Sequence, residues 1–163
     1  MDHRPAVILA EDQHRRCAAA LFEGVLELLS RPSRTFDEDR GMVHAAHASC
    51  WHWSVVGRPV NRARGEWLVS RVYAVLGKGV QAREHADHYR SMCDDHGLDE
   101  YDRAFAHEAI ARAAAVQGAA QEVADHVQYG LAAAAQVTEE TERAWAIKNL
   151  GTVTSEPPAM EPF

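Results

Sequence analysis

The sequence predicts an all-α domain in which about seven helices pack antiparallel as successive helix–turn–helix units. Three observations carry this prediction. Apolar residues recur at helical spacing along most of the chain, and nowhere in the strict alternation of a half-buried strand. Glycine interrupts these stretches at Gly57, Gly77, Gly97 and Gly118, which lie 20, 20 and 21 residues apart. A short signature, Asn61-Arg62-Ala63, returns as Asp102-Arg103-Ala104 and Glu142-Arg143-Ala144, at intervals of 41 and 40.

Each element follows in order. Leu21, Val25, Leu28 and Leu29 share a face of a first helix, placed at 6–30 and stopped before Arg31-Pro32. Thr35 followed three positions later by Glu38 reads as a capping box for a helix that ends near Val56. Pro59, just past Gly57, suits the first turn of the next helix, whose apolar face is Leu68, Val72, Val75 and Leu76. Ala82, Ala86, Tyr89 and Cys93 mark the helix after Gly77. Asp99 caps the one after Gly97, with Phe105, Ala109, Ala113 and Val116 on its face. Val123, Val127, Leu131 and Ala134 follow Gly118, and Thr138-Glu139-Glu140 opens the last helix with acids in its first turn. All four glycines are expected to be left-handed C-caps. The whole reads as one domain over 1–151, with units near 43–76, 80–117 and 119–151, and a frayed tail over 152–163.

The repeat extends beyond the three-residue signature. Arg71, Ala74, Val75 and Gly77 align with Arg112, Ala115, Val116 and Gly118, and Glu84-His85 with Asp125-His126. Several matches in one register indicate a recurring two-helix unit. Tyr73, Gly77 and Ala82 resemble the first-helix tyrosine, inter-helix glycine and second-helix small residue of the tetratricopeptide-repeat (TPR-like) class of α-α superhelices. The resemblance covers about residues 43–150. The second unit has Ala114 and Val123 at two of those positions, and the period of about 40 exceeds the usual ~34. The resemblance implies a scaffold that presents a concave surface to a protein or peptide.

Composition narrows the function classes. A chain of 163 residues that is 47% hydrophobic and 25% charged can bury a core without staples. A net charge of −7 argues against nucleic acid as a partner, because that affinity depends on neutralising phosphates. No stretch approaches the ~20 apolar residues of a membrane span, and the first residues lack the apolar run of a signal peptide. Cys17, Cys50 and Cys93 are odd in number and widely spaced, as expected of reduced cytoplasmic thiols. No glycine-rich phosphate loop, dinucleotide fingerprint, nucleophile elbow or Cys-x-x-Cys is present.

Three sets of side chains remain as candidates. Arg62, Arg103 and Arg143, in register, would form a ladder between units by pairing with carboxylates such as Glu66 and Glu108; with Arg71 and Arg112 they are the candidate partner-binding residues. Trp51, Trp53 and Trp67 are candidates for a ligand pocket. His44 with His47, and His85 with His88, are each three apart and would aim at one point if their helices converge on a metal. Against this, the same histidines would sit on helix surfaces beside Glu84, Asp87 and Asp125. Glu11-x-x-His14 is a single copy of a unit that di-iron bundles use twice. Cys50 beside His47 could be a nucleophile pair, but no strained turn or oxyanion loop accompanies it, so packing is the expectation. The function expected is therefore a non-catalytic repeat scaffold without cofactor, self-associating as a homodimer through an uncapped end. A metal-binding bundle and a small-molecule-binding regulator are the rival readings.

Overall fold

The computed structural model describes residues 9–154, and among these the chain is all-helical. The helices are α1 (Glu11–Ser30), α2 (Phe36–Val56), α3 (Pro59–Val75), α4 (Gly79–Asp95), α5 (Glu100–Val116), α6 (Ala120–Ala134) and α7 (Glu140–Leu150). The start signals are used as expected. The Thr35 hydroxyl accepts from the Glu38 amide at 3.2 Å, and the Glu38 carboxylate accepts from the Thr35 amide at 2.7 Å. Asp99 accepts from the Asp102 amide, and Glu139 from the Glu142 amide. The first helix begins at Glu11; residues 6–8 of the expected span lie outside the described residues.

Three of the four glycines are left-handed caps: Gly77 has φ 71°, Gly97 59° and Gly118 74°. Each closes the same motif, in which the residue after the glycine donates back five positions: Lys78 to Tyr73, Leu98 to Cys93, and Ala119 to Ala114. Gly57 departs from the expectation. Its backbone is extended, with φ −78° and ψ 150°, and so is that of Arg58, the residue that Pro59 restricts. Glycine is still required, since a Cβ at Gly57 would lie 2.5 Å from the Trp53 carbonyl oxygen.

The helices form two layers. Each packs on the next in sequence, and the odd-numbered helices also touch one another, α1 with α3, α3 with α5 and α5 with α7. The even-numbered helices do not meet, nor do α1 and α7. The arrangement is an open stack of hairpins, not a closed bundle. Helix α5 is walled by α3, α4, α6 and α7, which explains its alanines: Ala104, Ala106, Ala109, Ala111, Ala113, Ala114 and Ala115 are all buried. Small side chains let four neighbours approach one helix. The 41-residue register holds in space, with α3 and α5 starting at Pro59 and Glu100, and α4 and α6 at Gly79 and Ala120.

Not every residue of the expected apolar faces is buried. Val75 and Leu131 are exposed. The tail starts later than expected. Thr152 accepts from Arg112, and Val153 packs against the cluster of Ala114, Ala115 and Val123. Residues 155–163 of the expected tail lie outside the described residues.

Candidate functional site

Polar residues inside the stack build its scaffold. Arg64 on α3 donates from Nε and Nη2 to the two oxygens of Asp102 on α5, at 2.8 and 3.0 Å. The buried Tyr89 hydroxyl donates to the same carboxylate at 2.8 Å. Two turns along α5, Glu108 receives Arg71 at 3.0 Å, the Trp67 indole at 3.0 Å, and Arg112 from its own helix. Burial pushes the Glu108 carboxyl above its ordinary value, while Arg71 and the indole pull against that.

The rungs between odd helices are therefore Arg64, Arg71 and Arg112, in place of the expected Arg62, Arg103 and Arg143. Arg71 reaches forward from α3 to Glu108 on α5, and Arg112 reaches from α5 to the Asn149 carbonyl on α7 at 3.0 Å. The signature arginines work locally instead. Arg103 donates to the Leu98 carbonyl and to Asp94, and Arg143 to the Val137 carbonyl, so each closes the turn that precedes its own helix. Arg62 is exposed.

The histidines form hairpin contacts. Glu66 on α3 lies 2.6 Å from His85 Nδ1 and 3.4 Å from His88 Nδ1, both on α4. The partners expected for these histidines, Glu84 and Asp87, are replaced by an acid from the neighbouring helix. One unit later, His107 Nδ1 meets His126 Nδ1 at 3.0 Å, so positions 41 residues apart make the same cross-hairpin contact. Arg90 donates to His107 Nε2, which places the His107 proton on Nδ1, directed at His126. His47 Nε2 lies 2.9 Å from the Tyr73 hydroxyl, its ring is 5.5 Å from that of His85, and His44 is exposed. Among the described residues, no three His, Cys, Asp or Glu side chains are grouped so as to hold a metal ion. Three of the four expected metal candidates, His47, His85 and His88, thus lie around Glu66 and Tyr73, and the four share no common point. His14 is buried against Trp51 and His52, its Nδ1 2.8 Å from that of His52.

Cys50 faces Glu66 at 3.5 Å, and burial together with that carboxylate pushes its thiol up to about 12. A thiol so disfavoured as an anion is no nucleophile.

The pocket lies on the odd-helix layer. Phe22, Leu26, Trp67, Tyr101, Phe105 and Trp145, from α1, α3, α5 and α7, line a cavity of about 220 Å³, with Arg64 and the Tyr89 ring completing its wall. The ring of Phe105 stands edge-on to Trp67 at 5.7 Å and tilted to Tyr101 at 4.9 Å, and the Arg64 guanidinium lies over the Tyr101 face at 5.3 Å. Trp145 is half exposed. Of the three tryptophans expected at a pocket, only Trp67 is in it. Trp51 and Trp53 belong to α2 in the other layer, where Trp51 packs on His14 and His52. The repeat register held a signal for the missed residues: Arg64, Phe105 and Trp145 follow the three copies of the signature at the same offset, two residues past each arginine.

A second concavity, of about 260 Å³, lies where Arg71, Val75, Arg112 and Val116 meet Val153. Both of its arginines are already committed to Glu108. Comparison with protein-family models, with curated proteins and with solved structures finds no match to this chain. Among the described residues, no helix is long and apolar enough to cross a membrane.

Proposed function

We propose that the chain is a non-catalytic helical-repeat scaffold that binds a protein or peptide segment, in the manner of TPR-like proteins, by seating a large apolar side chain in the pocket of the odd-helix layer. The single observation that carries this reading is the pocket itself: six apolar or aromatic side chains drawn from four helices, open to solvent beside Trp145. Aromatic walls supply large contact area at low entropic cost, which is why such anchors dominate binding energy at interfaces. The scaffold beneath is fixed by the Arg64–Asp102–Tyr89 network, so the pocket is formed before anything binds and little ordering cost falls on association. An inert Cys50 and histidines engaged with one another, with Glu66 and with Tyr73 support a binding role over a catalytic one.

The test is selection of a random peptide library on the full chain, followed by titration of the enriched peptides against Trp145→Ala. The reading expects a large apolar residue in every enriched sequence and at least tenfold weaker binding to the variant, whose circular dichroism and melting temperature are unchanged. Peptides that bind both proteins equally would contradict it.

A further inference from the structure

The apolar pocket does not end at its aromatic wall. Tyr101 lines it on one side and, on the other, lines a concavity of about 360 Å³ whose rim carries Asp99, Glu100, Glu139 and Glu142. The two concavities are thus joined through one side chain. Glu142 also precedes Trp145 by three residues on α7, so acid and aromatic share a helical face one turn apart.

The charges of this shelf are unbalanced: beside its four acids stands Arg143, which donates to the Val137 carbonyl and acts on Glu139. Asp99 and Glu139 each use an oxygen to cap a helix, on the amides of Asp102 and Glu142, and local folding accounts for them. The other two do not cap. Glu100 has Arg103 only at 3.9 Å, and that arginine is bonded to Asp94 and the Leu98 carbonyl. Glu142 has no ion pair among the described residues, and its charge acts on the Tyr101 hydroxyl. Arg64, the one cation in the apolar pocket, does not offset the shelf, because the buried Asp102 carboxylate already pairs with it through two hydrogen bonds. The positive ends of α5 and α7 temper these acids by only about half a charge each. An apolar cavity that is electrically neutral therefore lies beside a shelf of four carboxylates, with Tyr101 lining both.

From this charge complementarity we infer that the occupant is a basic segment: one large apolar side chain enters between Trp67, Phe105 and Trp145, and a lysine or arginine within three residues of it lies on the shelf formed by Asp99, Glu100, Glu139 and Glu142. The inference rests on the reading of the pocket as a peptide site and adds the chemistry of the flanking residue. Attraction between the shelf and a cationic side chain is screened by salt, whereas burial of the anchor is not.

The test uses the full chain and a random dodecapeptide library displayed on phage, with synthetic peptides from enriched clones then titrated by fluorescence anisotropy. The expected clones carry Lys or Arg within three positions of the apolar anchor. Their affinity falls at least fivefold between about 50 and about 500 mM salt. It falls about tenfold in Glu100→Gln/Glu142→Gln, which leaves both helix caps in place. Clones with neutral or acidic flanks that bind wild type and this variant equally would overturn the basic-segment inference and leave the pocket reading standing. Clones indifferent to Trp145→Ala, or no clones at all, would overturn the pocket reading and this inference with it.

Discussion

Arg64 and Asp102 join α3 to α5 through two parallel hydrogen bonds, with the carboxylate fully buried and the guanidinium partly open to solvent. The asymmetry has a consequence. Arg64→Ala strands a buried carboxylate that keeps only Tyr89 and is expected to cost about 3–5 kcal/mol. Asp102→Asn leaves an arginine that can turn toward water, so its cost is smaller, about 1–3 kcal/mol. Urea unfolding followed by circular dichroism measures both; a larger loss for Asp102→Asn would contradict the geometry.

The arginines also divide by role. Arg71 ties α3 to Glu108 on α5, and Arg71→Ala is expected to destabilise by about 1–3 kcal/mol. Arg62, in the repeated signature but exposed, should cost less than about 0.5 kcal/mol when replaced by alanine. Equal effects in thermal unfolding would restore the ladder that the signature first indicated.

Two helical glycines should respond oppositely to the same substitution. A Cβ at Gly41 meets nothing within 4 Å, so Gly41→Ala is expected to stabilise by about 0.5–1 kcal/mol through helix propensity. A Cβ at Gly65 would lie 3.1 Å from Cys50 Sγ and 3.2 Å from Cys50 Cα, on the neighbouring α2. Overpacking there should outweigh propensity and destabilise by about 1–3 kcal/mol. Paired denaturation midpoints decide the matter, and a stabilised Gly65→Ala would show that α2 and α3 separate freely.

Acid should weaken the stack as its buried histidines are forced to take up protons. Burial, then the Arg90 charge and His126, hold His107 down at about 4 from an ordinary 6.5. The unfolded chain takes up this proton near pH 6.5 and the folded chain only near 4. Stability that is complete above 6.5 is therefore lost progressively as the pH falls from 6.5 to about 4. His47, His52 and His126 are also held low, each by burial first, and act in the same direction. Urea midpoints measured across this window should decline, and His107→Gln should flatten the decline. A flat profile for the wild type would contradict the account.

Much of the fold was legible because helix ends are written locally. Thr35, Asp99, Gly77, Gly97 and Gly118 each act within one turn of their own position, and each does what its residue type dictates. Gly57 was misread because a glycine at a helix end need not turn left-handed, and here the chain runs extended through Gly57 and Arg58 into Pro59. The site was less legible because it depends on which helices share a layer. Trp51 and Trp67 look alike as aromatics on helices, yet α2 and α3 lie in different layers, and only the second reaches the pocket. Trp145, near the open end of the stack, carries little periodic signal of its own; only its register with Arg64 and Phe105 places it.

The most direct test of the pocket as the binding surface is a nitrogen–proton correlation spectrum of the full chain, recorded as a library-selected peptide is added. The four tryptophans give four indole N–H resonances, at Trp51, Trp53, Trp67 and Trp145. The account predicts that Trp145 and Trp67 shift with saturation, together with backbone amides near Tyr101 and Phe105, while Trp51 and Trp53 stay in place. Shifts confined to Trp51 and Trp53, or to the second concavity around Arg71 and Arg112, would contradict it.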